Sequence, residues 1–280
     1  MAPAELLPIV GACVLAGALA GFFAGLIGVG GGFTTVPILN YLLPLAAVPD
    51  DEVMHAALAT SLALMVVNTA SAAWHRWRAR SLSPPLFARL AVPVGCGAVL
   101  GVLFAGGLPD WVLRAGFAGF VGFAILRGLQ RLRRPAPGPR GGDREGSLPA
   151  AWVWVPYFVL TGVVGAMAGG GAATLTVPFV TARHYSMQEA AGQAAGLSAI
   201  IGLAGATTFV FLGAGPEGMP PWSLGYLYLP ALVGLLAGGQ LGVRRGVACA
   251  QRLSDRLLRT IFIGLLAAVL AAMLAKILGA

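Results

Sequence analysis

Apolar stretches separated by short polar connections run through the whole chain. Most of them approach the roughly 20 residues that a helix needs to cross the hydrocarbon core of a bilayer. We therefore predict a first transmembrane repeat at 1–130, a cytoplasmic linker at 131–148 and a second transmembrane repeat at 149–280. Each repeat holds five predicted helical segments, which lie near residues 8–28, 31–48, 55–73, 85–105, 111–129, 150–168, 172–182, 190–212, 225–243 and 259–279.

Glycines interrupt the first apolar run at Gly28-Val-Gly-Gly-Gly-Phe-Thr-Thr-Val-Pro37, and a related sequence lies 141 residues later. That offset gives ten identities between residues 7 and 37, and the shared prolines and glycines are not expected by chance. Glycine at this density stops or turns a helix. Paired breaks in two halves point to the substrate site of a secondary transporter. The breaks align as Gly28 with Gly169, Gly30 with Gly171, and Thr35-Val36-Pro37 with Thr176-Val177-Pro178.

A second glycine pattern has a different interpretation. Gly17, Gly21 and Gly25 recur every four residues, and Gly162 and Ala166 repeat part of the pattern in the second half. Small residues at this spacing form a helix face on which another backbone can approach closely. We therefore predict that this stripe packs against a neighbouring helix.

Composition places the chain in a membrane. Hydrophobic residues make up 58% of the sequence, charged residues make up 10%, and the mean hydropathy is +0.85. Soluble domains contain about 25% charged residues. The net charge of +8 does not indicate nucleic-acid binding, because the basic residues cluster in a few connections between apolar runs, as they do in membrane proteins.

Equivalent connections of the two halves carry opposite charge. Connection 74–84 contains three arginines, whereas its counterpart 213–224 contains no Lys or Arg; connection 106–110 contains none, and its counterpart 244–258 contains four arginines. The positive-inside rule then places both termini outside and 16 of the 18 Lys and Arg in the cytoplasm. This predicts an all-α membrane protein of two inverted repeats, with 8–10 transmembrane helices and Gly-broken segments that either span or are re-entrant. Two basic residues are exceptions to the rule, Arg114 and Lys276.

Neutral hydrogen-bond donors are the candidate substrate ligands. A helix start has free N–H groups and a positive dipole end that favour anions, and the threonines after each break suit a capping position. Two inverted copies would direct two such starts to one central site. Polar groups inside other apolar segments add donors for a desolvated oxyanion. The predicted substrate-binding residues are Gly28, Gly30, Gly31, Gly32, Thr34, Thr35, Pro37, Thr60, Ser61, Asn68, Gly169, Gly170, Gly171, Thr174, Thr176, Pro178, Gln193 and Ser198.

Several functions are disfavoured by what the sequence lacks. No acidic residue or histidine lies well inside a predicted span, so a buried proton relay of the kind found in proton-coupled pumps is not indicated. The chain contains no HExxH motif and no Walker glycine loop. We therefore expect no enzymatic activity, cofactor or metal, and we expect a small anion and the lipid bilayer as partners, with no nucleic acid.

With these motifs the chain resembles the sulfite exporter TauE/SafE family of bacterial membrane transporters. The resemblance rests on the glycine motifs at 28–37 and 169–178 and on Ala59-Thr60-Ser61. It implies a multi-pass protein of the bacterial inner membrane that transports a small sulfur-containing anion such as sulfite, sulfoacetate or another organosulfonate. A passive anion channel and a membrane subunit of a multi-component permease are the alternatives.

Overall fold

The computed structural model describes residues 3–27, 32–78, 80, 82–133, 150–183, 185–213, 219–250, 253 and 255–278. Within these ranges the chain forms ten α-helices, which occupy the ten predicted segments, so the predicted all-helical class is confirmed. The helices are α1 Pro3–Ile27, α2 Gly32–Leu42, α3 Val53–Arg78, α4 Pro84–Gly106, α5 Asp110–Arg133, α6 Ala151–Met167, α7 Ala173–Thr181, α8 Met187–Leu212, α9 Leu229–Ala250 and α10 Asp255–Leu278.

Four stretches of the described chain are long and apolar enough to cross a membrane, fewer than the eight to ten expected. They are Val53–Arg78, Pro84–Gly106, Asp110–Gln130 and Gln188–Leu212. Shorter apolar helical stretches lie in α1, α6 and α10, at Pro8–Phe23, Ala151–Met167 and Thr260–Lys276. Large apolar side chains such as Leu15 and Trp152 are 70% and 80% exposed, as expected for surfaces that face lipid.

The helices that follow the glycine breaks are short. α2 has 11 residues and α7 has 9, which gives lengths of about 16 and 14 Å against a hydrocarbon core of about 30 Å. Neither helix is long enough to cross a bilayer alone. The predicted segment 31–48 is therefore too long, because the chain leaves α2 after Leu42 and makes a 3-10 turn at Pro44–Ala46.

Each half of the chain packs against the other half. α1 contacts α9, α4 contacts α6, α3 contacts α8, and α5 contacts α10. Glycine brings the backbones of α1 and α9 together, since a Cβ at Gly17 would lie 2.5 Å from the Leu235 carbonyl oxygen and one at Gly21 would lie 2.3 Å from that of Gly239. The packing predicted for Gly17 and Gly21 is confirmed, whereas the structure does not describe what surrounds Gly25.

The contacts also give the relative directions of the helices. α1 and α9 are parallel, because the contacting residue numbers rise together in both. The same holds for α4 and α6, where added Cβ atoms at Gly97 and Gly101 would meet the backbones of Val159 and Val163. α3 and α8 are antiparallel, since His55 at the start of α3 faces Phe209 near the end of α8, with ring centroids 6.5 Å apart.

A β-hairpin joins α8 to α9, where the sequence predicted that a helix begins at residue 225. Ser223–Leu224 (β1) pairs with Leu227–Tyr228 (β2). The turn contains Gly225 with φ 58°, which glycine adopts at no steric cost. The hairpin is seated on α3, where the Tyr228 N–H donates to Thr60 Oγ1 at 3.3 Å.

Tyr226 adds a second contact between the hairpin and α3. Its ring stacks on His55 with centroids 5.2 Å apart. Burial, followed by the nearby Glu52 carboxylate, raises the pKa of Tyr226 to about 12. The phenol is therefore protonated over the physiological pH range.

Candidate functional site

The start of α2 lies directly against the second glycine break. The backbones are so close that a Cβ on Gly32 would be 1.6 Å from the carbonyl oxygen of Gly169. Gly169 and Gly171 have φ values of 57° and 73°, which side chains disfavour. Glycine is thus required at position 32 by the close contact and at positions 169 and 171 by the backbone conformation. Three predicted site residues, Gly28, Gly30 and Gly31, lie outside the described residues.

Helices α3 and α8 flank the second break. A Cβ on Gly169 would lie 3.7 Å from Ser61 Oγ of α3. One on Gly171 would lie 2.6 Å from Ser198 Oγ of α8 and 3.2 Å from Met65 Sδ of α3. The structure therefore brings Ser61, Ser198 and Gly32 together at the glycines of the second break.

Ser198 contacts the backbone of the break. Its hydroxyl accepts the Ala172 N–H at 2.9 Å and donates to the Ala194 carbonyl at 2.7 Å. Ala172 is the N-cap of α7 and has no side-chain cap, so the predicted capping by threonine is wrong for this helix. Instead, the Ser198 side chain of α8 stabilises the conformation of the break.

Two buried hydroxyl groups of the predicted site lack a hydrogen-bond partner within the described part of the chain, Ser61 Oγ and Thr176 Oγ1. Their residues are 1% and 0% exposed. A buried polar group without a partner costs about 1–3 kcal/mol. Ser61 lies beside the break, so its hydroxyl is available to a ligand bound there.

The other predicted residues lie at varying distances from this contact. Thr34 and Thr35 are buried in the first turn of α2, and Gly170 lies under the Phe33 ring. Thr60 accepts from the hairpin, and the Gln193 amide donates to the Ser83 carbonyl at 2.9 Å, at the start of α4. The remaining residues are Pro37, buried within α2, and the partly buried Asn68 of α3 and Thr174 and Pro178 of α7.

A charged cluster at the far end of α2 was not predicted. The Asp110 carboxylate accepts the Met54 N–H at 2.5 Å and pairs with Arg114 Nε at 2.5 Å. Lys276 donates to the Asn40 carbonyl in the last turn of α2. Arg114 and Lys276 are the two exceptions to the positive-inside rule, and that exception is the sequence signal that points to this cluster.

Comparison with known proteins agrees with these features. Residues 13–273 match the model of the family described as "Sulfite exporter TauE/SafE". A probable membrane transporter protein of Haemophilus influenzae is 33% identical over 249 residues, which cover 86% of this chain and 89% of that protein. A probable membrane transporter protein of Methanocaldococcus jannaschii is 20% identical over 247 residues, 88% of each chain. No solved structure matches the chain.

The family match spans both glycine breaks, the whole of α2 to α9 and most of α1 and α10. It confirms the resemblance drawn from the glycine motifs and supports a multi-pass membrane protein. The family and both relatives are described as transporters, and none of these descriptions is that of an enzyme. The chain belongs to the sulfite exporter TauE/SafE family of membrane transporters.

Proposed function

We propose that the protein carries a small sulfur-containing oxyanion across the cytoplasmic membrane through a site at the two glycine breaks. The observation that carries this proposal is the contact of Gly32 with Gly169 beside the unpartnered hydroxyl of Ser61. Inside a bilayer, backbone that leaves a helix is tolerated only where protein or a polar cavity satisfies it. A transported ligand is one group that does so.

The chemistry of the contact favours an anion. α2 begins at the contact and α7 begins close to it, and each helix start carries the equivalent of about half a positive charge. The nearest described neighbours of Gly169, Gly170 and Gly171 are neutral side chains and include two serine hydroxyls. Hydroxyl and N–H donors suit an oxyanion, and the family description supports a sulfur-containing one.

We further propose that the two halves are inverted repeats. In that arrangement the first helix of each half runs parallel to the fourth helix of the other half, and the two third helices run in opposite directions. The parallel pairs α1 with α9 and α4 with α6, and the antiparallel pair α3 with α8, support this. The breaks of both halves would then meet in the interior of the membrane.

The proposed topology predicts which positions can be reached from outside. In a protein without native cysteines, single cysteines replacing Asp51 or Leu224 are expected to react with an impermeant thiol reagent added to intact cells. Single cysteines replacing Arg78 or Arg245 are expected to react only after the membrane is permeabilised. External labelling at Arg245 would contradict the inverted arrangement, since that residue lies near the end of α9, the helix that follows the hairpin.

The function is tested by flux in proteoliposomes. Sulfite, sulfate, sulfoacetate, taurine and chloride are supplied in turn, and saturable uptake of at least one sulfur oxyanion is expected. Ser61→Ala is expected to raise the KM of that anion about tenfold or more, because a hydrogen bond to a charged ligand contributes about 1.5–3 kcal/mol. Ser71→Ala is the matched control, since Ser71 is an exposed hydroxyl on the same helix.

The same assay separates the proposed carrier from its alternatives. Accumulation against a gradient distinguishes a carrier from a passive anion channel. Flux by the purified chain alone disfavours a subunit that needs an ATPase partner. Saturable uptake of a cation, with all five probes inert, would overturn the proposed substrate class.

A further inference from the structure

We propose that Lys276 of α10 is a positioning residue that caps the carboxyl end of α2 and thereby strengthens anion binding at the start of that helix. The effect on anion binding rests on the proposed function. The cap itself rests on contacts between α10 and α2.

The end of α10 contacts the last turn of α2 through several side chains. Lys276 Nζ donates to the Asn40 carbonyl and lies 5.1 Å from the centroid of the Tyr41 ring. The Tyr41 hydroxyl donates to the Ala272 carbonyl at 2.6 Å, and the Asn40 amide donates to Met273 Sδ at 3.5 Å. We call this set of residues the α2–α10 clamp. It fixes a short helix from a segment more than 230 residues away in the chain.

Lys276 places a positive charge against the last turn of α2. The nearby cation Arg114 is paired with Asp110 and also donates to the Asp50 carbonyl at 3.3 Å. Lys276 interacts electrostatically with Arg114, Asp110 and Asp50, but within the described ranges it forms no ion pair of its own. Because Lys276 Nζ lies at the Asn40 carbonyl, its charge acts on the carboxyl end of α2.

This charge changes the electrostatic potential at the glycine contact. The carboxyl end of a helix resembles half a negative charge, which repels an anion bound at the amino end and which a cation offsets. The two ends of α2 are about 16 Å apart. At that distance and an effective dielectric constant of about 20, one full charge changes the affinity for a monoanion about sixfold and for a dianion about thirtyfold.

The first test uses an anion that is part of the protein. In a background without native cysteines, Ser61→Cys places a thiolate beside Gly169, and its titration is followed by ultraviolet absorbance in the purified full chain. Adding Lys276→Met is expected to move the midpoint to higher pH, where the proton concentration is about sixfold lower, because the thiolate loses a favourable charge. Lys276→Arg is expected to restore the midpoint.

Tyr41→Phe is the matched control for this titration. It removes a hydrogen bond from the same α2–α10 clamp without changing any charge, so the midpoint is expected to stay in place. An unchanged midpoint in Lys276→Met, or an equal shift in Tyr41→Phe, would overturn the proposal.

The second test needs no change at Ser61. Methanesulfonate and sulfate are compact sulfur oxyanions that differ by one charge, and calorimetry measures their binding to the purified protein. Lys276→Met is expected to weaken the binding of methanesulfonate about sixfold and that of sulfate about thirtyfold. An equal loss for both anions would show a purely mechanical clamp and overturn the electrostatic role. If the unmodified chain binds neither anion, the proposed function fails, while the thiolate titration still decides the role of Lys276.

Discussion

Gly32→Ala is expected to abolish anion transport while the protein still inserts into the membrane. The added Cβ would lie 1.6 Å from the Gly169 carbonyl oxygen, and neither group belongs to a side chain that can rotate away. The start of α2 must therefore move away from the second break. A displacement of about 1 Å at a site of fixed geometry costs about a hundredfold in rate, so uptake is expected to fall at least that far.

Initial uptake in proteoliposomes with matched amounts of protein measures this effect. Gly116→Ala is the control, because a Cβ at Gly116 of α5 would meet nothing within 4 Å. Near-normal uptake by Gly32→Ala would show that the contact is not part of the transport site. Failure of insertion would instead show that the contact is needed for assembly.

Gly238→Leu is expected to prevent assembly of the folded protein. A Cβ at Gly238 of α9 would lie 1.8 Å from the Val14 carbonyl oxygen of α1, so a leucine forces these helices apart along their closest contact. Overpacking of a core costs about 1–3 kcal/mol or more, and close backbone contact is the main attraction between helices in lipid. We expect the loss to exceed that range.

The yield of monodisperse protein in mild detergent, and its thermal unfolding midpoint, measure this second effect. Gly264→Leu in α10 adds the same side chain where a Cβ meets nothing within 4 Å, and its yield is expected to be normal. A normal yield and melting temperature for Gly238→Leu would contradict the packing of α1 on α9.

The glycine breaks could be predicted from the sequence because their cause is local. Glycine and proline interrupt a helix wherever they occur in this density, and the repeat offset showed that the interruption happens twice. The contact of Gly32 with Gly169 could not be predicted residue by residue, because it depends on how distant helices pack. The hydrogen bond from the Ala172 N–H to Ser198 could not be predicted for the same reason. The repeat aligns Ser198 with Thr60 but does not indicate which group its hydroxyl contacts.

The hairpin at 223–228 and the clamp at Lys276 were missed for different reasons. The pattern of a short apolar run fits a helix or a strand equally well, so the sequence predicts a helix that includes Tyr226 and Tyr228. Lys276 did carry a signal, because a lysine on the outer side of the membrane departs from the charge bias. The sequence alone does not reveal that this lysine contacts the Asn40 carbonyl.

The parallel pairs α1 with α9 and α4 with α6 restrict how this protein can move. Each pair is joined by direct backbone contacts at glycines and contains one helix from each half, so we expect each pair to move as one body. A rocking motion of one half against the other would have to pull both pairs apart. In the proposed carrier, exposure of the central site to the two sides of the membrane in turn would then depend on hinge movements of α2 and α7 and on sliding of α3 against α8.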